Sequence, residues 1–191
     1  MPPATWTHRA ARLPLKRDGT LRLGVVADTH SRPNPSGVKH LAALAPDAIL
    51  HAGDIGELSS LECFRALAPL FAVRGNIDER AADLPDLISL EVVGPAERTL
   101  FKLVLLHIAV AGPRLRSDAF KAARAQKASL VVCGHSHVPF IGTDRGLTLF
   151  NPGSIGPRRF QLPILFGAID VAPTGVSLRH FDCETGARWE P

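Results

Sequence analysis

Short, mostly apolar runs that end at polar residues organise the first half of the chain. Residues 21–27, 48–52 and 70–73 form three such runs. Runs of this length are typical of strands that are buried on both faces of a parallel sheet. Residues 38–44 and 59–67 lie between them and have the pattern of short helices, the second with a serine at its start. Strands that alternate with helices predict βαβ units around a parallel core.

The second half of the chain favours β structure. Gly94-Pro95 is the expected turn between two strands, and residues 117–127 form the clearest helix, with Ser117 or Asp118 as its cap. The strands predicted in this half are residues 88–93, 100–106, 130–133, 140–142, 147–150, 164–171 and 176–181. The pattern as a whole predicts an α/β fold in which two mixed β-sheets pack face to face, with helices outside.

The domain organisation depends on where this regular pattern starts. No repeat, low-complexity segment or linker divides residues 21–191, so we expect one domain there. Residues 1–20 are basic and contain three prolines, which interrupt any helix. They lack the apolar core of a secretory signal, and we expect a flexible N-terminal extension outside the fold.

Composition and charge narrow the class of protein. No run approaches the roughly 20 apolar residues of a membrane helix. The formal net charge of +4 is scattered, which makes nucleic acid an unlikely partner, and the basic residues near 114–127 suit the solvated face of a helix. Cys63, Cys133 and Cys183 are too widely spaced for a disulfide framework or a zinc knuckle. They indicate reduced core residues and a cytoplasmic protein.

Chemically distinctive side chains come directly after the buried runs. Any one of them alone is more often a turn, a cap or an interior histidine, but their ordered recurrence at strand ends predicts a shared site. Loops at the carboxyl ends of strands gather at one edge of an α/β sheet. This oxygen and nitrogen set suits Mn²⁺, Fe²⁺, Ni²⁺, Co²⁺ or Zn²⁺ better than Ca²⁺. The candidate ligands are Asp28, His30, Asp54, Asn76, His107, His135 and His137.

The order D-x-H, GD, GN-x-D, H and G-H-x-H resembles the calcineurin-like metallophosphoesterase superfamily. Residues 151–154, Asn-Pro-Gly-Ser, followed by Pro157-Arg158, make the chain similar to the small single-domain phosphodiesterases of the YfcE type, relatives of the retromer subunit Vps29. The resemblance covers residues 23–158. It implies a four-layer αββα sandwich of two mixed β-sheets flanked by helices, which agrees with the pattern of strands and helices above.

The resemblance also implies two divalent metal ions, most readily Mn²⁺, and attack on a small phosphodiester by a hydroxide that bridges them. The first ion would be held by Asp28, His30, Asp54 and His137. The second would be held by Asp54, Asn76, His107 and His135, with Asp54 shared. The implied catalytic residues are Asp54, Asn76, Asp78 and His107, of which Asp78 orients its neighbours rather than binding metal.

Two positions depart from the family pattern. Ile77 stands where many members have a histidine that protonates the leaving group, and isoleucine cannot transfer a proton. Ala109 replaces a histidine of an H-G-H motif, which we interpret as the loss of a polar side chain from the pocket rim. His51 is interpreted as a packed core histidine and residues 151–154 as a structural loop. Arg158 or Arg159 reaches the substrate phosphate or lies on the surface; the sequence leaves both open.

Alternative functions share parts of these motifs. A phosphomonoesterase would use the same two metal ions. A non-catalytic protein-binding scaffold like Vps29 would be favoured by lost ligands, and none is lost here. A nuclease subunit is not expected, because 191 residues leave little room for a DNA-capping domain and Ile77 replaces the leaving-group histidine. The predicted partner is a small phosphate ester rather than a membrane, and a homo-oligomer is compatible with the sequence.

Overall fold

Two six-stranded β-sheets face each other across an apolar layer in the computed structural model, which describes residues 6–190. Residues 1–5 of the predicted extension lie outside the described residues. The strands are β1 His8–Pro14, β2 Leu21–Val26, β3 Ala48–His51, β4 Leu70–Ala72, β5 Leu87–Val93, β6 Thr99–Leu106, β7 Val110–Ala111, β8 Arg114–Leu115, β9 Leu130–Val132, β10 Phe140–Asp144, β11 Leu147–Asn151, β12 Leu165–Ala172, β13 Gly175–Asp182 and β14 Arg188–Trp189. The α-helices are α1 Pro35–Ala43, α2 Glu62–Arg65 and α3 Ser117–Ala125.

Each sheet contains a parallel block, and these blocks position the polar loops. One sheet has the strand order β1-β5-β6-β9-β11-β10, in which β6, β9 and β11 are parallel. The other has the order β14-β13-β12-β2-β3-β4, in which β2, β3 and β4 are parallel. Antiparallel strand pairs extend both sheets. The polar residues that come after the six parallel strands therefore leave each sheet at its carboxyl edge.

The core divides according to the alternation of side chains along each strand. Leu103 and Leu105 of β6 are fully buried in the layer between the sheets, together with Leu23 and Val25 of β2. The intervening Val104 of β6 points outward, where it packs beneath α3. Helices α1 and α2 cover the outer face of the other sheet. The prediction of two mixed sheets flanked by helices is therefore confirmed, with few and short helices.

The predicted flexible extension is wrong for residues 8–14. These residues form β1, which pairs in parallel with β5 along its whole length, His8 opposite Leu87 and Pro14 opposite Val93. Leu13 is buried between the sheets, while the remaining side chains of β1 are mostly exposed. Because β1 is an edge strand with one buried leucine, its composition resembles that of a solvated segment. Main-chain hydrogen bonds to β5 hold it in place, and no local sequence pattern reveals such pairing.

Smaller differences concern local elements. Residues 59–67, predicted as one helix, form a 3₁₀ turn at Leu58–Leu61 followed by the single turn of α2. The cap of α3 is Arg116 rather than Ser117 or Asp118. The two-residue strands β7, β8 and β14 were not predicted, because such short pairings leave no periodicity. Among the described residues, no helix is long and apolar enough to cross a membrane.

Candidate metal centre

The carboxyl edges of the two sheets meet and bring together the seven residues that the sequence selected as metal ligands. Asp28 follows β2, Asp54 follows β3 and Asn76 follows β4 in one sheet. His107 follows β6, and His135 precedes His137 in the loop after β9 of the other sheet. His30 lies on the same loop as Asp28. The donor atoms of six of these residues form two groups that could each hold a metal ion.

The first group consists of Asp28, His30 and His137. Nε2 of His30 lies 3.2 Å from Nε2 of His137, and the latter lies 3.4 Å from Oδ1 of Asp28. Asp28 and His137 are buried, at 0% and 4% exposure, while His30 is partly exposed. Two imidazole nitrogens and a carboxylate oxygen therefore point at one small volume whose exposed side is formed by His30.

The second group consists of Asp54, His107 and His135, with Asn76 beside it. Nε2 of His107 lies 3.1 Å from Oδ1 of Asp54 and 3.1 Å from Oδ1 of Asn76. Nδ1 of His135 lies 2.9 Å from the same Asn76 oxygen. His107 is buried, and His135 and Asn76 are exposed. This group therefore opens to solvent on the side of Asn76 and His135.

Asp54 connects the two groups through its two carboxylate oxygens. Oδ1 faces His107 of the second group at 3.1 Å, whereas Oδ2 lies 3.9 Å from Nε2 of His30 in the first. A carboxylate that presents one oxygen to each group can hold two cations a few ångströms apart. The arrangement gives Asp54 the position of a bridging ligand.

Hydrogen bonding around His107 tests whether these residues suit a cation. Nδ1 of His107 lies 2.7 Å from the carbonyl oxygen of Ala52, so Nδ1 carries a proton and donates it. The neutral ring then directs the lone pair of Nε2 at the oxygens of Asp54 and Asn76, which are acceptors as well. Three lone pairs that converge repel one another unless a positive charge, a proton or a metal ion, lies among them. The donor set fits a metal ion.

The pKa values of the buried site residues also indicate a site for a positive charge. Burial raises the pKa of Asp28 to about 7, although the nearby His107 acts to lower it. Burial also acts to raise the pKa of Asp54, but the hydrogen bond and charge of a protonated His107 hold that pKa at about 2. Against its own burial, the pKa of His107 is raised by these two carboxylates.

His137 of the first group is in the form that binds metal. Burial lowers the pKa of His137 to about 4, and the positive charge of Arg159 acts in the same direction. The His137 ring is therefore neutral near pH 7, and a nitrogen lone pair is free to coordinate a cation.

A known protein family matches most of the chain. Residues 21–173 match the family model of the calcineurin-like phosphoesterase superfamily domain. The chain belongs to this superfamily. It is 29% identical over 143 residues to a probable metallophosphoesterase of Methanocaldococcus jannaschii, a match that covers 71% of this chain and 69% of the relative.

Solved structures show the same fold at low sequence identity. Vacuolar protein sorting 29 from Cryptosporidium parvum superposes with a TM-score of 0.71 at 18% identity, covering 90% of this chain and 96% of that one. A structure described as a novel archaeal phosphodiesterase superposes with a TM-score of 0.63 at 19% identity, covering 85% of this chain and 99% of that one. The chain is therefore a metallophosphoesterase-family protein with candidate ligand groups for a dinuclear metal centre.

Five of the candidate ligands have a backbone conformation that residues other than glycine rarely adopt. Asp28, His30, Asp54, His135 and His137 all have φ between 44° and 70°. This left-handed conformation costs a non-glycine residue of order 1 kcal/mol or more, and such residues cluster at functional sites. Sequence patterns carry no information on φ, so this indication of a site exists only in the structure.

Asp78 supports the loops of the site, and its carboxylate bonds to their backbone rather than pointing at the ligand groups. Its buried carboxylate accepts hydrogen bonds from the backbone N–H groups of Ile55 (3.0 Å), Gly56 (2.9 Å) and Gly75 (2.8 Å). These bonds connect the loop after β3, which carries Asp54, to the loop after β4. These contacts agree with the orienting role expected for Asp78 and make it a positioning residue.

Gly75 is required by the close approach of these two loops. A Cβ atom added to it would lie 2.1 Å from Oδ1 of Asp54 and 2.2 Å from the backbone nitrogen of Asp54. Both distances are far below van der Waals contact. Any side chain at this position would displace the Asp54 carboxylate from the place between the two ligand groups.

Residues 151–154 form the structural loop that the sequence predicted. The Asn151 amide donates to the carbonyl oxygen of Gly134 at 2.9 Å and to Oγ of Ser136 at 3.1 Å, which fixes the loop that carries His135. Ser154 donates to the carbonyl oxygen of Asp28 at 3.0 Å. The loop thus ties together the two segments that supply the first ligand group.

The prediction of a packed, hydrogen-bonded His51 is also confirmed. Nδ1 of His51 accepts the N–H of Gly53 at 3.2 Å, and Nε2 donates to Oγ1 of Thr29 at 3.1 Å. Complete burial lowers the pKa of His51 to about 3, so the ring stays neutral. Its position behind Thr29 supports the loop between Asp28 and His30 from inside the core.

The expected pocket rim at residue 109 differs from the sequence interpretation. Ala109, interpreted as a gap in the pocket rim, is 1% exposed and packs in the core beneath α3, so the rim is not formed there. Its neighbour Ile108 lines the surface instead. The two arginines that the sequence left open have different contacts: Nη2 of Arg159 lies 3.2 Å from Nε2 of His30, while Arg158 pairs with Glu184 at 3.1 Å.

Replacing Asp78 with asparagine is expected to weaken metal binding, because the loops that carry Asp54 and Asn76 lose a common charged acceptor. We expect Mn²⁺ affinity to fall by about 10–100-fold, the usual effect of losing a residue that orients ligands. The free energy of unfolding of metal-free protein should fall by about 1–3 kcal/mol. Titration calorimetry and denaturant unfolding measure the two quantities.

The exposed Asp83 provides a matched control for this prediction, since Asp83→Asn removes the same charge from the same region. If Asp78→Asn and Asp83→Asn bind Mn²⁺ equally well, Asp78 does not position the ligands.

Proposed function

We propose that this phosphoesterase is a dinuclear-metal-dependent phosphodiesterase that hydrolyses a small phosphodiester. The observation that carries the proposal is the pair of ligand groups that share Asp54. Mn²⁺ is the metal that we propose first, with Ni²⁺, Fe²⁺, Co²⁺ and Zn²⁺ compatible with the same nitrogen and oxygen ligands. Asp28, His30, Asp54 and His137 would hold one ion, and Asp54, Asn76, His107 and His135 the other.

When bound, the two cations supply the positive charge that polarises the phosphate and acidifies the attacking water. The protein orients the side chains that would bind the cations and the phosphate. The carbonyl of Ala52 fixes the His107 ring with Nε2 toward the site. Asn76 directs Oδ1 toward His107 and His135, which leaves its amide N–H groups to donate to a phosphoryl oxygen from the solvent side.

Arg159 supports binding of an anion at the exposed side of the first group. Its guanidinium lies beside the His30 ring and adds a positive charge next to the cluster. An arginine at this distance can donate two hydrogen bonds to phosphate oxygens. Arg158 points away toward Glu184 and would leave the phosphate untouched.

The preference for a diester rests on the apolar side chains around the centre. Ile77 follows Asn76, Val138 follows His137 and Phe160 follows Arg159, with exposures of 47%, 46% and 92%. A phosphodiester carries an organic group on each side of a singly charged phosphate and can cover such surfaces on both sides. A phosphomonoester has an organic group on one side only. A scaffold function like that of Vps29 is less favoured, because each ligand position keeps a metal-binding residue.

Metal removal tests the proposal directly. Metal-stripped protein should be inactive, and Mn²⁺ should restore hydrolysis of an aryl phosphodiester more than of a phosphomonoester. Asp54→Asn should lose turnover by orders of magnitude and bind fewer than two ions, because one carboxylate faces both groups. Elemental analysis and a panel of esters with single metals added back give the measurements.

Asp83→Asn is the control and should match wild type. If metal-loaded wild type hydrolyses no phosphate ester, the enzyme proposal fails and a scaffold function takes its place. If Asp54→Asn still binds two ions, the bridging role of Asp54 is refuted, while the enzyme proposal is not affected.

The leaving group should control the rate because Ile77 cannot donate a proton. We expect rates to fall steeply as the leaving group becomes more basic, with aryl phosphodiesters far ahead of alkyl ones. Ile77→His should accelerate poor leaving groups more than good ones, by general acid catalysis, whereas Ile77→Leu should change neither. A flat dependence of rate on leaving-group pKa, with chemistry shown to limit turnover, would mean that another side chain supplies the proton.

Arg159→Ala should lower kcat/KM by about 10–100-fold, the loss expected when a charged hydrogen bond to phosphate is removed. Arg158→Ala removes the same side chain from the neighbouring position and should leave kcat/KM unchanged. Steady-state kinetics on one aryl phosphodiester compare the two. Equal losses would indicate a general effect of positive charge and contradict a direct contact with Arg159.

A further inference from the structure

A groove of about 480 Å³ runs from the second ligand group toward the N-terminal segment. Asn76 and His107 form one end of the groove, and Trp6 lines it together with Ile108. Its volume lies within the roughly 300–1,000 Å³ of small-molecule sites. The groove therefore offers space for a substrate group directly beside the metal ligands.

Trp6 is held at this groove because its neighbour Thr7 donates main-chain and side-chain hydrogen bonds to Asp86. The carboxylate of Asp86 accepts the N–H of Thr7 at 2.7 Å and its hydroxyl at 2.9 Å. The same carboxylate accepts two hydrogen bonds from Arg74, at 2.6 and 2.9 Å. Arg74 precedes Gly75 and Asn76, so one carboxylate joins the segment that carries Trp6 to the loop that carries a predicted metal ligand.

The charges of the groove do not favour a second phosphate. Its two arginines are each engaged with a carboxylate, Arg74 with Asp86 and Arg116 with Asp118 at 2.9 Å. Glu79 adds a further negative charge to the lining. An uncharged group is therefore preferred there. The indole of Trp6, 37% exposed, and the side chain of Ile108 offer it apolar surface.

We propose that Trp6 binds a planar group, a nucleobase or an aryl ring, on one ester arm of the substrate while the phosphate lies at the ligand groups. Aromatic side chains stack on planar rings regardless of their hydrogen-bonding pattern. The family match starts at residue 21, so Trp6 and β1 lie outside the shared domain and add to it. The proposal rests on the proposed function for the position of the phosphate.

Fluorescence gives a test that does not depend on turnover. The chain has two tryptophans, so Trp189→Phe leaves Trp6 as the single reporter. Trp189 lies on β14, which pairs only with β13 among the described strands and contributes nothing to the groove. With Zn²⁺ bound, adenosine 5′-monophosphate should change the Trp6 emission and bind about tenfold more tightly than ribose 5-phosphate, which lacks the planar group.

Phenyl phosphate in the same titration separates the two sources of a planar group. Tight binding of phenyl phosphate indicates that any aryl ring suffices, whereas tight binding of the nucleotide alone indicates a nucleobase. Equal affinity of all three compounds, or an unchanged Trp6 emission at saturation, overturns the proposal.

Kinetics give a second, independent test. Trp6→Ala should raise KM for bis(4-nitrophenyl) phosphate about tenfold with little change in kcat, since stacking is equal in ground and transition states. Trp6→Phe should restore most of the loss, and Trp189→Phe should behave as wild type. If the wild type is active and Trp6→Ala leaves KM unchanged, the role of Trp6 is refuted and the proposed function is not. An inactive wild type that still distinguishes the nucleotide from ribose 5-phosphate refutes the proposed function and supports the groove.

Discussion

Lone pairs of nitrogen and oxygen converge where the two sheets meet, and the rest of the structure depends on this crowding. A neutral His107 donates its single N–H to the carbonyl oxygen of Ala52. Its Nε2 atom is then a hydrogen-bond acceptor that faces the acceptor oxygens of Asp54 and Asn76. In a site of low dielectric constant such an arrangement is costly unless a proton or a metal ion occupies it. The residues around the site fix these side chains with their donor atoms directed at one place, which is the preorganisation that metal binding requires.

The arrangement persists because the surroundings determine the backbone around it. Five of the seven candidate ligands adopt positive φ, which is unfavourable for residues other than glycine. Asp78 offsets this cost with three backbone hydrogen bonds on one side, and Asn151 and Ser154 do so on the other. Gly75 allows the loops after β3 and β4 to approach within contact distance. The strain and its compensation lie in different loops, so the site depends on both sheets at once.

Features that depend on the period of apolar residues and on the ends of strands could be predicted from the sequence. The buried runs before Asp28, Asp54 and His107 located these side chains at the carboxyl edges, where the structure places them. Strand β1 could not be predicted, because an edge strand with one buried leucine resembles a solvated segment. The position of Ala109 was misjudged because motif spacing does not tell which side of a loop faces the core. Arg159 could not be assigned a contact before the loops were placed.

The carboxylate of Asp86 joins the N-terminal segment to the family domain, and the two parts have different roles. The domain that begins at residue 21 supplies every candidate metal ligand, and these groups would set the chemistry at phosphorus in the proposed reaction. Residues before it contribute Trp6 and β1, and Asp86 connects them to Arg74 at the start of the loop that carries Asn76. Because β1 also closes the edge of a sheet, the segment is held by main-chain pairing as well as by this carboxylate. A surface for the ester arm can therefore change in sequence without disturbing the geometry of the ligands, which is how one metal centre can serve different substrates.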